Sequence, residues 1–413
     1  MNVSINRRDW FAATAGIGLA SLAAGRGIDA LTFADSPSDS NPVLSVPTRA
    51  VTLPPIDPRL NRVVITAIAV DPRRQWLAAA GDDHVIRILS LESLVVERTL
   101  GDGAAEPAAT AVSFNGSDAV GSGRFEQGPP SESIARSGAR GHQDLIRTLA
   151  FDRQGTRLLS AGNDGRLIIW DRRRGFEMKQ EIGSAPAIAS ARFSPSGNQI
   201  AAVGFDPEVF LIQTTAATRE PVRLTCRDIR CCRYRNDGGL LAVGARDGHV
   251  HLLDPKSGKT IAAGSLHQGA VRDLAFMPGS EDLISVGEDG NLVRLQSGTN
   301  TITSQLKITS GRLFALAVLD GDLIAAAGSD DEIYLVKLVP SGALQLAGRL
   351  QGHVGSLASL DSLGGTLFSG GFDATVRQWN VGEGLSEQSS GTPENKIARG
   401  GEAISESPEA SPR

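Results

Sequence analysis

Hydrophobic residues along this chain come in short runs of about five or six, separated by tight polar turns. In LLSAGNDGRLIIWD, residues 158–171, two such runs flank Gly162, Asn163, Asp164 and Gly165. Apolar runs on either side of an Asn-Asp-Gly turn predict a β-hairpin. The same pattern around it predicts four strands, at Ile146–Phe151, Arg157–Ala161, Leu167–Trp170 and Phe176–Ile182. No stretch of this region keeps a 3.6-residue apolar period, so helices should be rare.

The hairpin recurs. An Asp with a small residue two places before it and an apolar residue six places after it occurs at Asp83, Asp164, Asp206, Asp247, Asp289, Asp330 and Asp373, with gaps of 81, 42, 41, 42, 41 and 43 residues. The small residues are Gly81, Gly162, Gly204, Ala245, Gly287, Gly328 and Gly371. Thirteen places before the Asp, the preceding apolar run ends at Val70, Phe151, Phe193, Tyr234, Phe276 and Leu360. In the repeat of Asp330 its counterpart, Val318, is one residue closer. A period near 40 with several short strands per unit is the signature of a β-propeller. One four-stranded sheet cannot bury both of its faces, whereas stacking sheets radially around a channel buries them and leaves only short edges.

Over roughly residues 49–381 the sequence resembles the WD-repeat β-propeller family. The resemblance implies, in each full repeat, a buried chain of hydrogen bonds through a His, a Ser or Thr, the turn Asp and a Trp. Two repeats match all four positions: His142, Ser160, Asp164 and Trp170, and His353, Ser369, Asp373 and Trp379. A third keeps His267, Ser285 and Asp289 but has Leu295 in place of Trp, and the other four lack the His and Ser. The family closes its ring by taking the last blade's outer strand from the N-terminal side. RAVTL at 49–53 is strand-like, and the chain turns polar after Trp379. The expectation is therefore an all-β, seven-bladed propeller with its N-terminal strand closing the last blade. The turn Asp residues are expected to accept hydrogen bonds from turn amides and from His, with no metal.

The 81-residue gap is about one period too long, and its excess falls within 102–140. A long insertion loop is expected there, with a degenerate eighth blade as the alternative. Residues 1–34 hold Arg7-Arg8 followed by a Gly/Ala-rich apolar run to Ala24 and resemble a bacterial twin-arginine export signal. The run is too short to span a bilayer, which takes about 20 apolar residues. Residues 35–48 read as a linker and 382–413 as a disordered tail rich in Ser, Glu, Gly and Pro. An exported, periplasmic location is expected, with the cytoplasm as the alternative.

The formal charge is −5. Residues 1–34 carry one net positive charge, Asp35 and Asp39 two negative and residues 382–413 three negative, which leaves the propeller region near −1. A near-neutral domain does not point to nucleic acid. Cys226, Cys231 and Cys232 are too few for a disulfide framework, although a bridge from Cys226 is open. Cys231 and Cys232, adjacent in one strand, should face opposite sides. There is no metal-ligand spacing, haem attachment motif, phosphate loop or nucleophile elbow, so neither a catalytic residue nor a cofactor is expected.

One recurring polar feature is not required for packing. Seventeen residues before the Asp, at the start of the innermost strand, lie Arg147, Arg230 and Arg272, and the same place holds Thr66, Ala189 and Ser356 in other repeats. In a WD-repeat propeller this place opens at the channel mouth, on the face where the chain comes into each blade. Three guanidinium groups there would suit a carboxylate or phosphate. Internal pairing with acidic neighbours such as Asp144 and Asp273 is the alternative. The expected function is a non-catalytic, monomeric scaffold that presents this face to protein partners. The competing expectation is an enzyme or small-ligand binder using the channel mouth.

Overall fold

The computed structural model describes residues 42–44, 46, 48–56, 61–101, 141–182, 186–215, 219–320 and 322–382. The expected signal at 1–34, the insertion at 102–140 and the tail beyond Gly382 lie outside the described residues. The described chain forms 28 strands in seven four-stranded antiparallel sheets. The innermost strands of blades one to seven are Ile65–Val70, Ile146–Phe151, Ile188–Phe193, Ile229–Tyr234, Val271–Phe276, Leu313–Val318 and Leu357–Leu363. In blade two the strands are Ile146–Phe151, Arg157–Gly162, Leu167–Asp171 and Glu177–Ile182, close to the expected ones. Phe176 leaves the fourth strand because it occupies a left-handed turn (φ 62°) with Gly175 and packs edge-on against Phe151. No helix among the described residues is long and apolar enough to cross a membrane.

The last blade is closed from the N-terminal side. Thr48–Thr52 pairs antiparallel with Thr375–Asn380, in the register Thr48↔Trp379 to Thr52↔Thr375. The described part of the expected linker is not a free connector: Leu44 and Val46 are buried in the cluster between blades six and seven. Val43 forms a parallel bridge with Arg349 on the outer strand of blade six. Gly348 makes the docking feasible, since a Cβ there would sit 2.7 Å from the Leu44 side chain. The hydrophobic positions of PVLSV, not its turn residues, decide its state.

The core is distributed. Seven apolar clusters lie one between each pair of neighbouring blades. The cluster between blades one and two joins Ile86 and Ile88 directly to Ile146, Leu149 and Trp170. No eighth blade stands between them, which decides against that alternative. The small residue before each turn Asp also has a reason: a Cβ on Gly162 would lie 2.2 Å from the Leu145 carbonyl oxygen, and one on Gly328 would lie 1.8 Å from that of Arg312.

Both expected four-residue chains form. His142 Nδ1 lies 2.9 Å from Asp164, its Nε2 lies 2.8 Å from the Ser160 hydroxyl, and Trp170 Nε1 donates to Ser160 Oγ at 2.9 Å. His353, Asp373, Ser369 and Trp379 repeat this at 2.9, 2.7 and 2.9 Å. An ionised Asp only accepts and an indole N–H only donates, so Nδ1 carries the proton and the Ser hydroxyl donates to Nε2. His267, Ser285 and Asp289 form the partial version. Two further blades use other chemistry at the same turn. Asp83 is paired with the buried Arg87 at 2.5 Å, and Asp330 accepts from Thr309 and Tyr334. Burial alone would raise the Asp289 and Asp373 carboxyls. Hydrogen bonds from His267 and from His353 and Thr375 outweigh it and hold both below the usual carboxylate range.

Three expectations follow. Deleting residues 48–52 should lower the melting temperature clearly, and Leu44→Ala should cost about 2 kcal/mol or more, whereas trimming 385–413 should change nothing; unchanged melting of both altered N-terminal variants would refute the closure. In urea melts, Asp164→Ala strands His142 and the amides of Gln143 and Arg166 and should cost about 1–3 kcal/mol, more than loss of the exposed Asp206. Carboxyls lowered in the fold stabilise it above their unfolded pKa of about 4. Stability should therefore hold from neutral pH down to that point and fall below it, and less steeply in Asp373→Asn.

Candidate functional site

The inner strands leave a central channel with a cavity of about 450 Å³. Its walls are tied across blade boundaries by side chains that reach backbone groups of the next blade. Ser359 Oγ accepts from Ile68 N at 3.1 Å, Asp361 from Val70 N at 2.7 Å and Asp273 from Leu316 N at 3.1 Å. Burial pushes the Asp273 and Asp361 carboxyls up, against the Arg233 charge and the backbone donors around them.

Arg147, Arg230 and Arg272 all line this channel, each at the second position of its innermost strand. They are held against aromatic rings. The guanidinium carbons of Arg147 and Arg230 lie 5.0 and 4.6 Å from the centroid of Phe205, and that of Arg272 lies 5.1 Å from Phe314. Such cation–π contacts fix the plane of the group without neutralising it. Two of the three pair internally with acidic neighbours, though not with the two named: Arg230 with Asp228 at 3.0 Å and Arg272 with Glu288 at 3.3 Å. Asp273 serves Arg233 instead, and an Asp144 oxygen accepts from Leu145 N. Arg147 has no carboxylate partner among the described residues; its Nε donates to Asn163. Asp228 is further shared with Arg246 at 3.2 Å.

Positive charge is therefore in excess at the mouth. Burial first, then the charges of Arg272 and Arg230, pulls the Arg147 guanidinium down to about 10. Arg230 is lowered by burial and by Arg272, and Arg272 by burial, against which Glu288 acts. The Nε of Arg230 is buried without a hydrogen-bond partner among the described residues. These groups stay charged at neutral pH, and an anion would relieve both their repulsion and their unmade hydrogen bonds.

The alignment by spacing fails in the last two blades. Leu357 pairs with Gly371 as Ile146 pairs with Gly162, so Ala358, not Ser356, occupies the place of Arg147. The segment between His353 and Asp373 is two residues shorter than that between His142 and Asp164. Leu360 accordingly matches Leu149 rather than Phe151. Phe314 holds the place in blade six, and the one-residue shift of Val318 was the signal for it. Phe205 carried no signal, because its contact with two other blades exists only in the closed ring. The three cysteines are free, with Cys231 and Cys232 in clusters on opposite sides of blade four. Among the described residues no group of three or more His, Cys, Asp or Glu could hold a metal ion.

The sequence profile of the WD domain, G-beta repeat, matches residues 61–90, 136–171 and 344–380. That of the anaphase-promoting complex subunit 4 WD40 domain matches 220–277. The chain is 26% identical over 157 residues to the guanine nucleotide-binding protein subunit beta of Dictyostelium discoideum, covering 36% of this chain and 44% of that protein. It is 24% identical over 278 residues to WD repeat-containing protein 1 of Gallus gallus, covering 62% of this chain and 44% of that protein. The chain thus spans less than half the length of these relatives. Among solved structures, the β-propeller domain of Cps50 (Swd1) from Myceliophteria thermophila superposes with a TM-score of 0.62 at 17% identity, covering 81% of this chain and 99% of that one. Hairpin period, closing strand, buried His–Ser–Asp–Trp chains and these likenesses agree: three segments of the chain are similar to WD repeats, and the chain has the fold of a seven-bladed β-propeller.

Proposed function

We propose that the protein is a non-catalytic scaffold that binds protein partners at the face bearing the channel mouth, with Arg147, Arg230 and Arg272 as the recognition groups. The observation that carries this reading is the excess of cation there: three guanidinium groups fixed against Phe205 and Phe314, with Arg147 lacking a carboxylate. WD-repeat propellers are typically protein-interaction scaffolds, which supports the class of function. The 102–140 insertion leaves and rejoins the ring at one place, since Gly101 and Gly141 are close neighbours. Both flank the turns of the same face, so the insertion would reach a partner seated there. Arg is enriched at interface hot spots, where truncation can cost about 2 kcal/mol or more.

A second reading has its own observation, the cavity of about 450 Å³ behind these groups. A small anionic ligand would fit the same chemistry. With a partner captured by affinity purification, the triple substitution of Arg147, Arg230 and Arg272 by Ala should weaken binding strongly and leave the melting temperature nearly unchanged. Unfolding of that variant would make the three residues internal struts, and intact binding would move the partner to another surface.

The export reading of residues 1–34 belongs to the same proposal, with the scaffold acting in the periplasm of a bacterium. A reporter active only after export, fused behind residues 1–40, should work in a bacterial host. Replacing Arg7 and Arg8 by Lys should silence it, because Lys lacks the planar guanidinium fork. Retention of the unaltered fusion in the cytoplasm would end this reading.

A further inference from the structure

The opposite face of the disc has a chemistry of its own. In blades one and two the turns after the first strands are DPRRQ (71–75) and DRQGT (152–156), and the turn after the third strand of blade two is RRRG (172–175). Four contacts weld them into one platform. Arg172 lies 3.0 Å from the Asp71 carboxylate and donates to Gly155 O at 2.8 Å and to Gln75. Arg73 Nε donates to Gln154 O at 2.6 Å. Gly155, at φ 60°, lets the second turn close on the first, since a Cβ there would lie 2.4 Å from Asp71 Oδ1. The carboxylates of the platform are inside it: Asp71 and Asp152 are buried, and Asp152 is paired with Arg157 at 2.9 Å.

What projects outward is cationic. Arg73, Arg74, Arg153, Arg173 and Arg174 are all exposed, and none has an ion pair with a described residue. Arg98 joins them through a bond to Gly175 O. The exposed acids at this end of these blades, Glu92, Glu97 and Glu177, are fewer, while the equivalent turns of blades four to six expose Asp237, Glu281, Asp320 and Asp322. In a chain of net charge −5, five unpaired guanidinium groups on neighbouring turns form a directed cationic patch.

We propose that this face docks on an anionic phospholipid surface through Arg73, Arg74, Arg153, Arg173 and Arg174. Guanidinium forks match phosphate oxygens, and clustered basic residues bind anionic leaflets additively. The groups stand on turn tips at one end of the sheets and not in a groove. Val95, 59% exposed on the adjoining turn of blade one, adds an apolar contact. The aromatic side chains of these blades, Trp76, Phe151, Trp170 and Phe176, pack into the core between them, so that among the described residues these two blades offer no ring here for stacking nucleic-acid bases. The patch lies at the opposite end of the channel from Arg147, Arg230 and Arg272, and only Arg153 of its five Arg residues also lines the channel.

The test is co-sedimentation of the full chain with vesicles of phosphatidylcholine alone or mixed with phosphatidylglycerol. The protein should bind only the mixed vesicles and release at high salt. Replacing the five Arg residues by Ala should lower the partition by roughly a thousandfold or more, with an unchanged melting temperature, and Val95→Asp should lower it several-fold. Lys256→Ala with Lys259→Ala, on the same face of blade four, should leave it unchanged. Failure of the unaltered protein to bind mixed vesicles overturns the proposal, as does binding that survives loss of the five Arg residues. So does tighter, Arg-dependent binding to a duplex DNA or RNA fragment, which would assign the patch to nucleic acid.

Discussion

Five residue pairs between Thr48–Thr52 and Thr375–Trp379 join the two ends of the ring. Without them the seventh blade would have three strands, an open edge and a cluster against blade one lacking Val51 and Leu53. Every other blade buries its faces against two neighbours, so an open ring would weaken clusters that closure otherwise supports. The docking of Leu44 and Val46 between blades six and seven carries the closure one step further. The N-terminal approach thus contacts both blades on the closing side.

Closure also explains why the repeats can differ so much in local chemistry. The clusters between blades need only apolar residues of the right size, and each blade supplies them. The turn carboxylate must be satisfied, but the partner is free to vary: His in three blades, Arg87 in blade one, and Thr309 with Tyr334 in blade six. A buried carboxylate without a partner would be costly, whereas different donors are interchangeable there. The fold tolerates erosion of the family motif because the constraint is hydrogen-bond satisfaction and not a particular residue.

The ring gives the molecule two faces with distinct charge. At the channel mouth, guanidinium groups are sunk among aromatic rings, half-buried and partly paired, a setting suited to one anionic group held in a fixed orientation. On the opposite face the Arg residues of blades one and two stand out in solvent, where affinity would come from number and not from geometry. A disc bearing both could hold a partner on one side while lying on a surface with the other.

The period, the seven blades, the closing strand and the two full His–Ser–Asp–Trp chains could all be read in the sequence. Each depends on local spacing: a turn fixes its own register, and alternating apolar runs fix which face is buried. The positions of Arg147, Arg230 and Arg272 were legible for the same reason, while that of Ser356 was misread because a two-residue deletion shifts the register unseen. Only the tertiary structure decided the rest. Phe205 reaches Arg147 and Arg230 because blades two, three and four are neighbours in space. Asp228, two residues before Arg230, and Glu288, next to the Gly287 that pairs with Val271, displaced the expected acidic partners within their own blades. The Arg-rich platform joins turns some 80 to 100 residues apart in sequence. A nearly neutral composition hid it, because net charge sums over the chain whereas a partner meets only one face.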